Sequence, residues 1–213
     1  MKIKDNVVTG LNLLEKEYPD ARITLDFKTP LQLLTATILA AQCTDERVNR
    51  VTPALFKKYR TAQDFSRAQP EELEDEIRST GFFRNKAKSI IQGCQKIVRD
   101  FKGQVPQTLE ELVSLPEVGR KTANIIIGNA YGRPAVAVDT HVKRVTRRLG
   151  WAKAEEPDKI EFELMEVMPP GRWTLACHQL VFHGRKICQA KNPRCPVCPL
   201  EKICPKIGLA EGK

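Results

Sequence analysis

The amino-acid sequence predicts an all-α protein. Apolar residues recur at helical spacing through most of the 213 residues, and the alternating pattern of a half-buried strand is absent. Residues 134–138 are the only short stretch that suits a strand. The sequence contains no internal repeat, low-complexity tract or long linker, so we expect the helices to pack into one large core or two smaller ones.

Three helices have the clearest signals. Residues 29–32 (Thr-Pro-Leu-Gln) form a capping box with Pro30 at the first helical position, ahead of an apolar stripe. A second stripe runs through residues 87–101 and is followed by a glycine and a proline. Residues 108–111 form another capping box that opens a short helix. Further helices are predicted over residues 5–17, 45–58, 70–78, 157–168 and 172–187.

The charge distribution indicates a polyanion as partner. The formal net charge is +9, and between Arg120 and Arg148 seven basic side chains accompany a single acid, Asp139. Five acids crowd into residues 71–76, so one face is expected to be basic and another acidic. A solvated helical face without a partner is the alternative. No apolar run of about eighteen residues is present, which predicts that the chain does not span a membrane.

Four of the seven cysteines have the spacing of metal ligands, with gaps of six, two and five residues. Prolines between them stiffen the loops that would hold the sulfurs around one centre. The spacing alone leaves structural zinc and an iron-sulfur cluster equally open. The first residues are charged and lack an apolar signal segment, so we expect the reducing cytoplasm, where disulfides are disfavoured. The four residues are Cys188, Cys195, Cys198 and Cys204.

The stretch at residues 115–123 (Leu-Pro-Glu-Val-Gly-Arg-Lys-Thr-Ala) reads as helix, tight glycine turn, helix. A glycine at the turn lets backbone N–H groups approach a phosphate, and the following helix N-terminus adds positive potential. Such a unit binds a nucleic-acid backbone without reading its sequence. An ordinary helical hairpin is the alternative interpretation.

Two side chains near this stretch are candidates for chemistry. Lys121 stands in the first turn of the second helix, where the positive end of the macrodipole disfavours the protonated amine. A neutral amine is a nucleophile, and the alternative for an isolated lysine is contact with phosphate or solvent. Asp139 follows eighteen residues later, where it suits both a helix N-cap and a carboxylate that stabilises an oxocarbenium-like sugar or transfers protons.

These residues resemble the endonuclease III family of helix-hairpin-helix base-excision DNA glycosylases, over nearly the full length. The cysteine spacing is the most specific match, and Lys121 and Asp139 strengthen it. The other matching segments are residues 41–45 (Ala-Gln-Cys-Thr-Asp), 81–83 (Gly-Phe-Phe), 115–124, 138–141 (Val-Asp-Thr-His) and 183–185 (His-Gly-Arg).

The resemblance implies a two-lobed helical DNA glycosylase fold. A six-helix barrel lobe would cover residues 23–133 and contain the helix-hairpin-helix motif at about 108–131. Residues 1–22 and 134–213 would form an iron-sulfur cluster lobe, with a structural 4Fe-4S cluster bound by the four cysteines in the loop 188–204. The active site would lie between the lobes, with Lys121 on one side and Asp139 on the other.

The activity that the resemblance implies is bifunctional. The enzyme would flip a damaged pyrimidine out of duplex DNA, and Lys121 would attack C1′, expel the base and form a Schiff base. A β-elimination would then cut the strand 3′ to the abasic site, with Asp139 assisting the amine. The implied partner is double-stranded DNA with damaged bases or abasic sites, bound by a monomer in the cytoplasm at the nucleoid.

The resemblance also implies a set of DNA contacts. Gln42 matches the residue that fills the gap left by the flipped nucleotide, and Phe82 matches a neighbouring wedge position. Lys191 and Arg194, between the first two cysteines, match basic positions that reach phosphates. The remaining expected contacts are Val118, Gly119, Arg120, His141 and Arg144.

One departure and two rival functions remain. The family's hairpin normally reads Leu-Pro-Gly-Val-Gly, and this chain has Glu117 at the first glycine, which predicts weakened phosphate binding.

One rival is a monofunctional relative of the adenine mismatch type, which lacks the lysine and carries a further C-terminal domain, whereas this chain ends nine residues after Cys204. The other is a non-enzymatic helix-hairpin-helix DNA-binding module.

Overall fold

The computed structural model describes residues 3–209. Within this range the chain forms eleven α-helices and four short 3₁₀ segments and no β-strand, so the all-α prediction is confirmed. Residues 134–138 are non-helical and join no sheet within the described range. None of the described helices combines the length and the apolar character needed to cross a lipid bilayer.

The helices agree closely with the sequence-based boundaries. They are α1 (Ile3–Glu17), α2 (Pro30–Leu39), α3 (Asp45–Lys58), α4 (Ala62–Ser66), α5 (Pro70–Ile77), α6 (Phe83–Asp100), α7 (Leu109–Val113), α8 (Arg120–Ala130), α9 (Thr140–Arg148), α10 (Pro157–Val167) and α11 (Trp173–Lys186).

Side-chain caps explain why several helices begin where they do. The Thr108 hydroxyl accepts from the Glu111 N–H while the Glu111 carboxylate accepts from the Thr108 N–H, so this capping box forms in full. At α2 the Thr29 hydroxyl accepts from the Gln32 N–H at 3.2 Å, but the Gln32 side chain accepts from the backbone N–H of Lys28 instead. The capping box at residues 29–32 is therefore only half as predicted. The helix α4 was not predicted, since its five residues are too few to show a period and its capping box, Thr61 with Asp64, was overlooked, unlike that of the equally short α7.

The chain packs into two compact units. Thr24–Gly132 forms one of them and contains α2 to α8. Its core is organised around α6, which packs against α4, α5 and α2, while α8 packs against α2 and α7. The apolar stripe predicted for residues 87–101 supplies the contacts, since Ala87, Ile90 and Ile97 are almost fully buried.

The other unit joins the described residues before Thr24 to those from Arg133 onward. Here α11 packs against α9 and α1, and α1 also contacts α10. Trp151 lies at 2 % exposure in this core, and its indole N–H donates to the Asn6 side chain at 3.0 Å. The ring lies directly against Gly10 of α1, which has no side chain to keep it away.

Alanine substitutions at two glycines, Gly10 and Gly93, are predicted to have opposite effects on the free energy of unfolding. A Cβ at Gly10 would overlap Cζ2 of Trp151, so Gly10→Ala should lower the free energy of unfolding by about 1–3 kcal/mol. A Cβ at Gly93 in α6 meets no atom within 4 Å, so Gly93→Ala should raise it by roughly 0.5–1 kcal/mol through helix propensity. Urea titrations followed by circular dichroism measure both, and equal effects at the two positions would contradict the packing argument.

Candidate functional site

The predicted hairpin forms between α7 and α8. Gly119 is the N-cap of α8, with φ −84° and ψ 173°, a conformation open to any residue, and an added Cβ would meet no atom within 4 Å. The fold itself therefore does not require a glycine at this position. Its missing side chain leaves the exposed start of α8 accessible to an external group, and the free N–H groups of a helix N-terminus favour an anion.

Glu117 adopts a left-handed backbone conformation in this turn, with φ +59°. Such a conformation costs a side-chain-bearing residue roughly 1–2 kcal/mol, a cost that glycine avoids. The Glu117 side chain is exposed, whereas the next residue, Val118, is 3 % exposed and donates its N–H to the Leu115 carbonyl at 3.2 Å. Val118 thus anchors the turn in the core, and Glu117 and Gly119 face outward on either side of it.

Lys121 lies in the first turn of α8 and is exposed. No acidic side chain stands in that turn, and within residues 3–209 the amine has no hydrogen bond or ion pair. Arg120, beside it, is half-buried. Lys121 is therefore an exposed amine without a carboxylate partner in the described chain.

Asp139 is the N-cap of α9, as its position predicts. Its Oδ1 accepts from the backbone N–H groups of His141 at 2.8 Å and Val142 at 2.7 Å. Its Oδ2 accepts no hydrogen bond within the described residues. One oxygen thus fixes the orientation of the carboxylate and the other is left for chemistry. Lys121 belongs to the unit Thr24–Gly132 and Asp139 to the other unit.

Arg144 directs most of its donors into the protein. Its Nε donates to the Cys188 carbonyl at 3.0 Å, and its Nη2 donates to the Gly184 carbonyl at 2.9 Å. The same Nη2 lies 3.1 Å from Nδ1 of His141, and because a guanidinium only donates, Nδ1 is the acceptor. Arg144 therefore ties α9 to α11 and to the loop that begins at Cys188.

This arrangement leaves His141 as a neutral donor. Burial lowers the pKa of His141, and the nearby Arg144 and Arg185 lower it further, while Asp139 opposes them. With Nδ1 accepting from Arg144, the imidazole proton resides on Nε2. His141 can therefore donate one hydrogen bond from Nε2 without carrying a charge near neutral pH.

Gln42 and Phe82 are both exposed and both left-handed, with φ of +52° and +47°. Gln42 lies shortly after α2, and Phe82 is the N-cap of α6 with 62 % of its surface exposed. Strained backbone of this kind persists only where the surroundings enforce it, and it collects at functional sites. Lys191 and Arg194, in the loop after Cys188, are also exposed.

The four cysteines of the predicted metal site line a single small cavity, part of it open to solvent, together with His183 and Arg148. Within residues 3–209 no group of three or more His, Cys, Asp or Glu side chains is arranged to close on one metal ion. A single tetrahedral zinc, with bonds of about 2.3 Å, would need the four sulfurs gathered closely around one point. The thiols share a cavity but are not gathered in that way.

Two N–H groups and one imidazole nitrogen lie beside the sulfurs. Arg148 Nη1 lies 3.4 Å from Cys188 Sγ, the Lys206 backbone N–H donates to Cys204 Sγ at 3.4 Å, and His183 Nε2 lies 3.5 Å from Cys198 Sγ. Burial raises the pKa of Cys198 to about 11 and lowers that of His183 to about 4, so without a metal both groups are neutral. Thiolate ligands of metal centres commonly accept such hydrogen bonds.

Arg148 and His183 were not recognised as site residues from the sequence. Arg148 also donates to the carbonyls of Gln189 at 2.7 Å and Ala190 at 3.1 Å, and His183 Nδ1 lies 3.2 Å from the Tyr18 hydroxyl. A signal for Arg148 was present, because His141, Arg144 and Arg148 recur at helical spacing on one side of α9. For His183 the signal was the match of residues 183–185 to the family, whereas its contact with Tyr18, 165 residues away along the chain, had none.

The chain matches known proteins over almost its whole length. The family model of HhH-GPD superfamily base excision DNA repair proteins matches residues 35–170. An endonuclease III of Synechocystis sp. is 52 % identical over 203 residues, which cover 95 % of this chain and 93 % of that protein.

The chain belongs to the endonuclease III family. Two solved structures agree with this assignment, one a non-covalent endonuclease III–DNA complex and the other a trapped endonuclease III–DNA covalent intermediate. Each is 43 % identical to this chain, with a TM-score of 0.90 and 97 % of both chains covered. The helical fold described above is therefore the endonuclease III fold.

The left-handed Glu117 predicts tighter DNA binding when it is replaced. Glu117→Gly removes the backbone strain and a carboxylate beside the turn that is expected to bind phosphate, so affinity for an abasic duplex should rise about fivefold at low salt. That factor corresponds to roughly 1 kcal/mol, the repulsion of two unit charges about 4 Å apart in water. Fluorescence anisotropy at matched ionic strength measures the change.

Glu117→Gln serves as the matched control, because it removes the charge and keeps the strain. It should reproduce most of the gain in affinity but not the gain in unfolding free energy of roughly 1 kcal/mol expected for glycine. Unchanged or weaker binding by Glu117→Gly would show that this carboxylate does not face the phosphates.

Proposed function

We propose that this chain is a bifunctional base-excision repair enzyme that removes oxidised pyrimidines from duplex DNA and cleaves the resulting abasic site by β-elimination. The observation that carries the proposal is Lys121, an exposed amine without a partner carboxylate in the described chain, at the start of the hairpin helix. A trapped covalent intermediate with DNA is known for a relative of the same fold. A covalent intermediate requires a nucleophile on the enzyme, and Lys121 is our candidate.

DNA binding begins with the sugar-phosphate backbone. The open N-terminus of α8 at Gly119 binds a phosphate, to which its N–H groups donate hydrogen bonds. Lys191 and Arg194 add exposed positive charge. Nε2 of His141 donates a further hydrogen bond to a phosphate oxygen. Arg120 adds to the positive potential, and Val118 contributes by holding the turn from within the core.

Base removal requires the damaged nucleotide to leave the helical stack. The exposed Phe82 wedges between base pairs, and the Gln42 amide fills the space and hydrogen-bonds the orphaned partner base. Both side chains stand on strained loops, which limits the number of conformations that they lose on binding.

The chemistry at the sugar follows from the amine. Lys121 Nζ forms a bond to C1′ as the glycosidic C1′–N bond breaks, and the departing base takes up a proton. The sugar ring opens to a protonated Schiff base, which acidifies the hydrogens on C2′. Loss of a C2′ proton and cleavage of the C3′–O bond then cut the strand on the 3′ side, and hydrolysis of the Schiff base frees the amine.

Asp139 supports these steps with its Oδ2. The carboxylate stabilises the positive charge that develops on the sugar and transfers protons to and from the amine. Its Oδ1 stays bonded to the first N–H groups of α9, so the orientation of the group does not change during the reaction. Arg144 acts by holding His141 and α9 in place, since its guanidinium is already bonded to two carbonyls and the imidazole.

The four cysteines are proposed to bind a 4Fe-4S cluster. The N–H donors beside two of the sulfurs, those of Arg148 and Lys206, and the shared cavity support a group with thiolate ligands. Each cysteine of such a cluster binds a different iron, so a cluster would use all four of the thiols that line the cavity. When bound, the cluster crosslinks the loop and stabilises it.

The two packing units are proposed to be the six-helix barrel lobe and the cluster lobe of the family. We further propose that the protein acts as a monomer on chromosomal DNA in the cytoplasm. The net charge of +9 supports binding to DNA.

Borohydride trapping tests the lysine mechanism. The intact protein should form a covalent adduct with an abasic duplex, because borohydride reduces the Schiff base to a stable amine. Lys121→Gln should abolish the adduct and the strand cleavage, and gel electrophoresis detects both.

The variant Lys88→Gln, which removes an exposed lysine of α6, serves as the control and should retain trapping. Asp139→Asn keeps an oxygen for the helix cap and should fold normally, while cleavage slows by about a hundredfold or more. Base release without an adduct by the intact protein would favour a monofunctional glycosylase, and binding without base release a DNA-binding module.

Metal analysis tests the cluster. The protein purified without air should be brown, with broad visible absorption and about four irons per chain. Cys198→Ser should lose iron and absorption, whereas Cys43→Ser, a cysteine outside the cavity, should keep both. One zinc per chain and no visible absorption would overturn the proposal.

A further inference from the structure

Lys86 is a buried lysine without a carboxylate partner. It lies in the first turn of α6 at 4 % exposure, and no ion pair to it exists within residues 3–209. Its Nζ donates to two backbone carbonyls, that of Leu39 at 2.7 Å and that of Thr80 at 2.8 Å. Burial lowers the pKa of Lys86, and an apolar residue would fill the same space without desolvating an amine.

Both acceptors are at the ends of helical segments. Leu39 is the last residue of α2, and Thr80 is the last residue of the 3₁₀ segment Arg78–Thr80. Carbonyls at a helix C-terminus have no partner within the helix, and a cation there also balances the negative end of the dipole. One nitrogen therefore caps two helical segments at once and fixes the position of each relative to the other.

The loops that leave these two ends carry the two strained side chains. Gln42 follows Leu39 by three residues, and Phe82 follows Thr80 by two, with Gly81 between them at φ +71°. A left-handed residue needs surroundings that hold it, because the relaxed chain would abandon that conformation. Lys86 is the side chain bonded to the starting point of both loops.

We propose that Lys86 is a positioning residue for DNA recognition, which holds the Gln42 and Phe82 loops in the geometry that enters the duplex. This inference rests on the proposed function, since it assumes that the two loops fill the gap beside a flipped nucleotide. Lys86 itself touches no DNA. It acts through the two carbonyls, so its loss affects both loops together.

Cleavage of two abasic substrates tests this role. Lys86→Met keeps the length and removes the donors, and single-turnover cleavage is measured on an abasic duplex and on the same strand alone. Single-stranded DNA needs no wedge, so the duplex rate at subsaturating enzyme should fall roughly tenfold or more while the single-strand rate changes less than about twofold. Equal losses on both substrates would overturn the inference, because a general loss of folded enzyme has that effect.

Tyr131→Phe provides the matched control. It removes another tertiary hydrogen bond to a carbonyl of the same unit, from the Tyr131 hydroxyl to Val105 at 2.7 Å, away from both loops. It should leave the ratio of duplex to single-strand cleavage unchanged. In a background of Gln42→Ala and Phe82→Ala, the further change to Lys86→Met should lower duplex cleavage by less than about twofold, because the loops through which it acts are already disabled.

Hydrogen exchange decides the question independently of activity, and it uses Lys86→Gln if the methionine variant does not fold. Amide exchange should accelerate in residues 40–43 and 81–83 together, while α3 and α5 stay protected. Acceleration in one loop or neither would overturn the inference. If the intact protein cleaves neither substrate, the proposed function fails, while the exchange measurement still reports whether Lys86 holds both loops.

Discussion

The structure depends on how the backbone groups at its helix ends are satisfied. In an all-α protein the first N–H groups and last carbonyls of each helix lack internal partners, and the sites described here are built on such ends. Asp139 accepts hydrogen bonds from the N–H groups at the start of α9. Lys86 donates to the last carbonyl of α2 and to the last carbonyl of the 3₁₀ segment that precedes α6. At Gly119 no side-chain cap of α8 forms within residues 3–209, and this is the end that we propose binds a phosphate.

The helix α9 connects the carboxylate to the cysteine loop. Asp139 caps its beginning, while Arg144 and Arg148 near its end donate to the carbonyls of Cys188, Gln189 and Ala190. Any displacement of the loop must therefore pull on the helix that orients Asp139. The proposed cluster would therefore have a structural role that needs no redox chemistry. It would crosslink the loop through four cysteines, and the loop is bonded to Arg144 and Arg148, which belong to α9.

Local features were predictable from the sequence, and contacts between distant residues were not. The capping boxes, the apolar stripe of α6 and the N-cap role of Asp139 depend on residues a few positions apart, and a single chain displays them. The helix α4 was missed although its capping box is as local as that of α7, which was predicted. Lys86 to Leu39, His183 to Tyr18 and Arg148 to Cys188 are 47, 165 and 40 residues apart, so no sequence pattern indicates them.

Most of the strained backbone lies in segments with a proposed function rather than in the packed core. Six non-glycine residues in the described chain have positive φ, and all except Lys102 and Lys206 lie in the hairpin, the Gln42 and Phe82 loops or the cysteine loop. At roughly 1–2 kcal/mol each, such residues together cost as much as a small domain's net stability, so surrounding contacts must hold them. For the loops of Gln42 and Phe82, Lys86 supplies such contacts by donating to the Leu39 and Thr80 carbonyls, where the loops begin. Glu117 differs, because its neighbour Val118 anchors the turn while the glutamate itself gains no described hydrogen bond, which makes its replacement by glycine favourable for the fold.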